Sequence, residues 1–194
     1  MSQEYGDSVE LIGSRTVAYL SGAVLVAALT AVLAQFSIDL PGGLPFSFQP
    51  FGVFFAGILL GPLWGGFSLL LYVLVGVAGA PVFSNGAAGI GYINSPTGGF
   101  LVSFVIAAAL IGAIAHRSLE PKRVTELPVV AVTAALLAGM VVIYAVGLPW
   151  FAEIQAWSLS RTASFMAPFA VGDAVKVAIT ISLVANGNEL LEWR

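Results

Sequence analysis

The sequence predicts an all-α integral membrane protein, a bundle of six transmembrane helices that forms one membrane domain over residues 1–194. Three observations lead to this prediction. Hydrophobic residues make up 59% of the chain and charged residues only 9%, whereas roughly 25% of the residues of a soluble domain are charged. The mean hydropathy is +0.99. Apolar segments follow one another along the chain, and several approach the roughly 20 residues that cross a bilayer as a helix.

The first half of the chain provides three of the predicted helices. The first covers about 16–38, and the prolines and glycines after it predict a short connection. The next apolar block contains Gly61-Pro62 in its middle, and proline disfavours helix at the residue before it. This block is therefore predicted to form two short helices, 49–61 and 63–79, that are joined by a tight turn.

The second half provides the other three helices. A loop rich in glycine, asparagine and serine covers 80–96, and helix 97–116 follows it. Helix 127–148 comes next. A second long connection is predicted over 149–168, because it contains Trp150, Phe151 and Trp157, residues typical of a membrane interface. The last helix covers about 169–185.

The basic residues predict the orientation in the cell membrane. With the N-terminus in the cytoplasm, five of the seven basic residues lie inside, Arg161 lies outside and Lys176 lies within the membrane. This distribution fits the positive-inside rule. Both termini are therefore predicted to be cytoplasmic, and both long loops face outward.

Composition and motifs exclude several functions. The net charge is −3, and no block of basic residues is available to bind nucleic acid. The chain has no cysteine and one histidine, His116, which makes a metal site improbable. No Walker A motif is present, so an ATP-driven step requires another subunit. No motif of a membrane protease or lipase is found, and no catalytic residue or cofactor is predicted.

The most informative residues are Asp173 and Lys176, which lie inside the last apolar segment. A charge costs about 2.5–3.5 kcal/mol at the centre of a membrane helix on insertion scales. Their spacing of three places them on one helix face, together with Phe169 and Thr180, while Val171, Val175 and Ile179 cover another side. They are interpreted as a binding pair for a polar ligand. The alternative is a salt bridge that only holds the bundle together.

The first long loop and the helix after it hold further candidates for ligand binding. Asn85 can donate and accept a hydrogen bond, although a turn asparagine that bonds its own backbone is nearly as good an explanation. Thr97 is a candidate N-cap, and free backbone N–H groups beyond it can receive an anion. The predicted substrate-binding residues are Asp173, Lys176, Asn85, Thr97, Gly98, Gly99 and Tyr92.

In the first helix, Ala23, Ala27 and Ala31 form a ridge of small residues that allows another helix to approach closely. We predict that this ridge contacts a partner subunit. The alternative is packing within the chain.

Several motifs, in this order and spacing, resemble the BioY family of biotin transporters. They are Leu44-Pro45-Phe46-Ser47-Phe48-Gln49-Pro50, Gly61-Pro62, Tyr72, the stretch 76–83, Pro96-Thr97-Gly98-Gly99-Phe100 and Gly172-Asp173-x-x-Lys176. The resemblance covers about residues 16–186. It implies a biotin-binding S component of an energy-coupling factor transporter, whose partners are a transmembrane coupling subunit and a pair of ABC-type ATPases. Such proteins also occur without a dedicated energising module, so a homo-oligomer in membrane lipid is the other predicted state.

The resemblance also assigns roles to residues. It implies that Asp173 and Lys176 bind biotin, with Asn85 and the turn 97–99 as neighbours. Tyr72, Phe83, Tyr92 and Phe100 are then candidate walls for the apolar bicycle. Family members can use an arginine near the start of the fourth helix for the carboxylate, and none lies between residues 16 and 116 here. Lys176, Thr97 or backbone amides are left for that role.

The sequence leaves two alternatives to biotin uptake. One is an S component for another vitamin, because few contacts set the ligand. The other is a small membrane-embedded enzyme, which would need a nucleophile or metal cluster inside the bundle.

Overall fold

The structure, a computed structural model, describes residues 13–40 and 44–192. Its helices are α1 (Ser14–Gln35), α2 (Gln49–Val77), α3 (Ile90–Ile93), α4 (Gly98–His116), α5 (Val129–Gln155) and α6 (Leu159–Glu192). Two short strands, β1 (Ser37–Leu40) and β2 (Leu44–Ser47), lie between α1 and α2. Five helices in this described part are long and apolar enough to cross a membrane. The prediction of a helical membrane protein is confirmed.

The chain reverses its direction inside α2. Gly61 has φ 72° and ψ −170°, a backbone conformation that glycine adopts without strain. Gln49 Nε2 donates to Tyr72 Oη at 2.6 Å, although 23 residues of straight helix would separate these residues by about 35 Å. The arms on either side of Gly61 therefore pack side by side, with the turn where the sequence predicts it. The predicted count of six spanning helices is not confirmed, because five of the described helices have that length.

Three predicted boundaries are wrong. α1 ends at Gln35 rather than near residue 38, because the residues that follow pair in a strand. The connection predicted over 149–168 is largely helical, since α5 continues to Gln155 and α6 begins at Leu159. Pro149 and Pro168 lie inside these helices. Both prolines are exposed, and each removes one helical hydrogen bond without ending its helix.

The connection after α1 is an antiparallel hairpin that the sequence analysis missed. Ser37 pairs with Ser47, and Ile38 pairs with Phe46. The turn residues 41–43, which were the basis for the predicted connection, lie outside the described residues. The hairpin matters for function because it carries Phe46 and the buried Ser47 to the start of α2.

Helix α4 packs between α2 and α5, and small residues allow the close contact. A Cβ atom on Gly57 would come within 2.6 Å of Ile111 Cγ2, and Gly112 packs against the backbone of Gly61. These contacts close the bundle near the reversal of α2. Open space is left toward the opposite end.

The bundle has two distinct ends. At the first, which we call the loop end, Trp150 Nε1 donates to the Ser95 carbonyl at 3.1 Å. This bond joins the loop 80–96 to the last part of α5, so the two regions that were predicted as long loops lie at the same end of the bundle. At the second, the turn end, Pro121 packs against Gly61. There His116 Nε2 lies 3.0 Å from the Ile58 carbonyl, a group that Pro62 cannot bond because it lacks an N–H.

Candidate functional site

A cavity lies beneath the loop end, enclosed by β2, α2, α4, α5 and α6 and by the loop 80–96. Its apolar lining consists of Phe46, Pro50, Phe100, Leu101, Phe104, Ile143, Met166 and Phe169. Its polar lining consists of Ser47, Gln49, Ser84, Tyr92, Thr97, Tyr144, Asp173 and Lys176. Apolar walls with a few converging polar groups are typical of small-molecule sites.

Lys176 is the buried cation of this cavity. Its Nζ donates to Asp173 Oδ1 at 2.6 Å and to the Ser47 carbonyl at 2.8 Å, and it lies 3.9 Å from the centre of the Phe46 ring. The side chain is 5% exposed, against 13% for Asp173. An ammonium has three N–H donors, so one donor remains beyond these two bonds. The spacing of three residues on α6 therefore produces an ion pair that faces a cavity.

Asp173 is held from two sides. Its Oδ1 accepts from Lys176, and its Oδ2 accepts from Tyr144 Oη at 2.8 Å. A carboxylate offers about four lone-pair sites, so each oxygen can accept one more hydrogen bond. Since Asp173 lines the cavity, these remaining sites suit a ligand that carries N–H donors.

Gln49 connects this pair to a second polar group. Its Oε1 accepts from Ser47 Oγ at 2.8 Å and from Ser84 Oγ at 2.7 Å. Its Nε2 donates to Tyr72 Oη at 2.6 Å, and Tyr72 donates onward to the Val82 carbonyl at 3.0 Å. An amide nitrogen has two hydrogens, and the second has no acceptor among the described residues. Because Gln49 lines the cavity, it can donate to a ligand.

Two of the predicted loop residues line the cavity as well. Tyr92 belongs to α3, and Thr97 stands at the N-cap position of α4. Thr97 makes no side-chain cap bond, so the predicted capping role is wrong, and its hydroxyl lies 2.6 Å from Ser95 Oγ instead. Gly98 and Gly99 do not line the cavity. They pack against Ile93 and Trp150, where a side chain would collide.

Asn85 is not brought to the cavity. It is exposed, with φ 60° in the short turn Ser84–Gly86, and its Oδ1 accepts from Ser37 Oγ at 2.6 Å. A left-handed backbone is common for a turn asparagine, so the local geometry matches the turn alternative. Its neighbour Ser84 is buried and lines the cavity in its place.

The predicted aromatic walls divide into two layers. Tyr92 and Phe100 line the cavity. Tyr72 and Phe83 lie behind this first layer, and the Phe83 ring stacks on Tyr92 with centroids 5.1 Å apart. The second layer thus supports the wall rather than forming it.

The sequence analysis did not predict Gln49, Ser47, Ser84 or Tyr144 as site residues. Two signals could have found them. Gln49 is a polar residue at the start of an apolar segment, and Tyr144 is a tyrosine within one. A buried tyrosine hydroxyl normally has a hydrogen-bond partner, and the carboxylate of Asp173 is that partner here.

The ridge of alanines on α1 is mostly internal. Ala23 and Ala27 are buried within the chain, and Ser68 Oγ from α2 donates to the Ala23 carbonyl at 2.8 Å. Ala31 is partly buried. Among the described residues, the packing alternative therefore accounts for the burial of Ala23 and Ala27, and the contact with a partner subunit stays a prediction.

Within residues 13–40 and 44–192 no group of three histidine, cysteine, aspartate or glutamate side chains is placed to hold a metal ion.

Fold and cavity together define a class: a helical membrane protein with an enclosed site for a small amphipathic molecule near one end. A family model described as the BioY family matches residues 8–192, and the chain belongs to this family. The probable biotin transporter BioY of Pyrococcus horikoshii is 36% identical over 157 residues, which cover 81% of this chain and 88% of that protein. The biotin transporter BioY of Rhodobacter capsulatus is 35% identical, with 84% and 87% covered.

The fold also matches a solved structure. The crystal structure of the S-component for biotin from an ECF-type ABC transporter superposes with a TM-score of 0.80 and 23% identity. The match covers 94% of this chain and 95% of that one. The arrangement of helices is therefore that of an S component.

Proposed function

We propose that this protein is the biotin-binding membrane subunit of a biotin uptake system. The observation that carries the proposal is the cavity in which Asp173, Lys176, Tyr144 and Gln49 converge between apolar walls. The names of the relatives in the BioY family support the choice of biotin.

The chemistry of biotin is complementary to this cavity. Biotin has two ureido N–H donors and one carbonyl acceptor at one end, an apolar bicycle, and a carboxylate on a flexible chain. Asp173 has lone pairs for the N–H groups, while Lys176 and Gln49 each have an N–H for an oxygen. The rings of Phe100 and Phe169 suit the bicycle. We assign the carboxylate to Thr97, which lines the cavity at the start of α4.

The energy for uptake is proposed to come from other subunits. The chain contains no Walker A motif, so it cannot bind ATP through a P-loop. The solved structure of the same fold is described as part of an ECF-type ABC transporter. We infer that this protein likewise works with a transmembrane coupling subunit and ABC-type ATPases, as one membrane domain over residues 1–194.

Purified protein in detergent is expected to retain radiolabelled biotin, and excess unlabelled biotin should displace it. Unlabelled thiamine or riboflavin at the same concentration should not, because neither has the two N–H donors beside one carbonyl that the ureido group of biotin offers to Asp173 and Gln49. Retention of another radiolabelled vitamin, with no retention of biotin, would replace this proposal with an S component for that vitamin.

The orientation is proposed to be N-in and C-in, with the loop end outside. Single cysteines introduced at Ala88 and Ser158, both exposed at the loop end, are expected to react with an impermeant thiol reagent added to intact cells. A cysteine at the exposed Ser118, at the turn end, should react only after the cells are opened. The parent chain has no cysteine, so it provides the blank. Reaction of the Ser118 variant in intact cells would contradict the assignment.

A further inference from the structure

Two adjacent depressions at the turn end are not used by the biotin cavity. The first is lined by Leu59, Lys122, Arg123, Val124 and Thr125. The second is an apolar groove between α1, α2 and α6, and it shares Leu59, Val124 and Thr125 with the first. Together they form one surface, with a basic mouth that leads into an apolar groove.

The basic mouth carries two cations that have no ion-pair partner in the part of the chain that the structure describes. Lys122 and Arg123 are exposed, and neither forms an ion pair with another described residue. Glu120 and Glu126 belong to the same loop, but they are exposed and line neither depression. The mouth is therefore positively charged, which suits an anion.

The loop that carries these cations is fixed in place. The backbone N–H of Lys122 donates to Nδ1 of the buried His116 at 2.9 Å, and Pro121 packs on Gly61. On the other side, Leu127 is buried in the core. Since both ends of the segment are anchored, the two cations are held at the mouth of the groove before any ligand binds.

The groove has the character of a binding surface for a hydrocarbon chain. Its walls are Leu29 of α1, Phe55 and Ile58 of α2, and Leu183 and Val184 of α6. It follows α2 from Phe55 to Leu59, a rise of about 6 Å. Beyond it, toward the loop end, α1 continues with exposed side chains such as Val32 that suit lipid.

We propose that this surface binds one anionic phospholipid, with its phosphate at Lys122 and Arg123 and the first part of an acyl chain in the groove. Basic pockets between helices at a membrane surface are suited to anionic lipid headgroups. The charge of the mouth selects the headgroup, and the continuity of the two depressions requires that the headgroup and the chain belong to the same molecule.

Native mass spectrometry of the purified protein, titrated with phosphatidylglycerol or phosphatidylcholine, tests this proposal. The wild type is expected to retain one phosphatidylglycerol at concentrations where phosphatidylcholine is not retained. Because each cation near the surface favours binding about five-fold, K122Q with R123Q should raise the apparent Kd for phosphatidylglycerol about thirty-fold. R117Q is the matched control. It removes an exposed cation from the same loop that lines neither depression, and it should leave this Kd unchanged.

The groove has its own pair of variants. L29N places an amide in the groove and is expected to weaken phosphatidylglycerol binding, whereas L25N, one helical turn away on the exposed face of α1, should not. Glycerol phosphate should fail to compete, because it lacks the chain. The melting temperature of each variant, measured in the same samples, shows that the bundle is folded.

Four results would overturn the proposal: equal retention of the two lipids, an equal loss for R117Q, effective competition by glycerol phosphate, or an equal loss for L29N and L25N. A fifth would assign the surface to a protein instead. In that result, K122Q with R123Q binds lipid as the wild type does but no longer copurifies with the coupling subunit. None of these results depends on whether the ligand of the cavity is biotin.

Discussion

Lys176→Met is expected to weaken biotin binding by about ten-fold to a hundred-fold while the protein remains folded in detergent. The substitution keeps the length of the side chain and removes its charge. A hydrogen bond to a charged group is worth about 1.5–3 kcal/mol, which corresponds to this loss of affinity. Asp173→Asn should have an effect of similar size, because it removes the negative charge and replaces one acceptor oxygen with an NH₂ donor. Equilibrium binding of radiolabelled biotin measures both.

The competing explanation is a salt bridge that only stabilises the bundle. Lys176 and Asp173 do form an ion pair, with a distance of 2.6 Å. If this pair only stabilises the bundle, removal of one partner should lower stability strongly, and Asp173→Asn combined with Lys176→Met should restore it. If both side chains bind the ligand, the double variant should bind biotin no better than either single variant. Recovery of wild-type affinity by the double variant would reject direct binding.

A cation elsewhere on the same helix provides the control. Arg161 is exposed and lies over the Trp157 ring, 4.0 Å from its centre, and it does not line the cavity. Arg161→Met should therefore leave biotin affinity unchanged. A loss equal to that of Lys176→Met would mean that the total charge of α6 governs binding, and not the position of Lys176 in the cavity.

The helices could be predicted because their causes are local. Apolar length identified all five long helices, and the dipeptide Gly61-Pro62 located the reversal of α2, since glycine permits the positive φ and proline removes a donor. The ends of α5 and α6 were missed. Pro149 and Pro168 are exposed and lie inside their helices, so the helix-breaking tendency of proline, a local signal, gave the wrong boundaries.

Site residues could be predicted where burial of a charged side chain in the membrane has a high free-energy cost. Asp173 and Lys176 stand out for that reason, and the structure places both in the cavity. Gln49 and Ser84 do not stand out, because their importance comes from a network that joins residues 35 positions apart. Asn85 was chosen in place of Ser84 since a sequence does not show which side of a turn faces inward.

A change of ligand preference is the expected result of Gln49→Glu. In 2-iminobiotin the ureido oxygen is replaced by a nitrogen, and the resulting guanidinium group carries a positive charge and only donates hydrogen bonds. Gln49 has one amide hydrogen without an acceptor among the described residues, so we expect it to donate to the ureido oxygen of biotin. A carboxylate at this position accepts instead. The variant should lose affinity for biotin and gain affinity for 2-iminobiotin.

The expected change in the ratio of the two Kd values is about a hundred-fold, because one ligand loses a hydrogen bond and the other gains a charge-assisted one. Gln49→Met is the matched control: it removes the amide without adding a charge and should weaken biotin without favouring 2-iminobiotin. Competition against radiolabelled biotin gives both constants from one preparation. Suppose that the ureido oxygen accepts its hydrogen bond from Lys176 and not from Gln49. The Glu variant would then weaken both ligands to the same extent, and the assigned contact would be rejected even though the protein binds biotin.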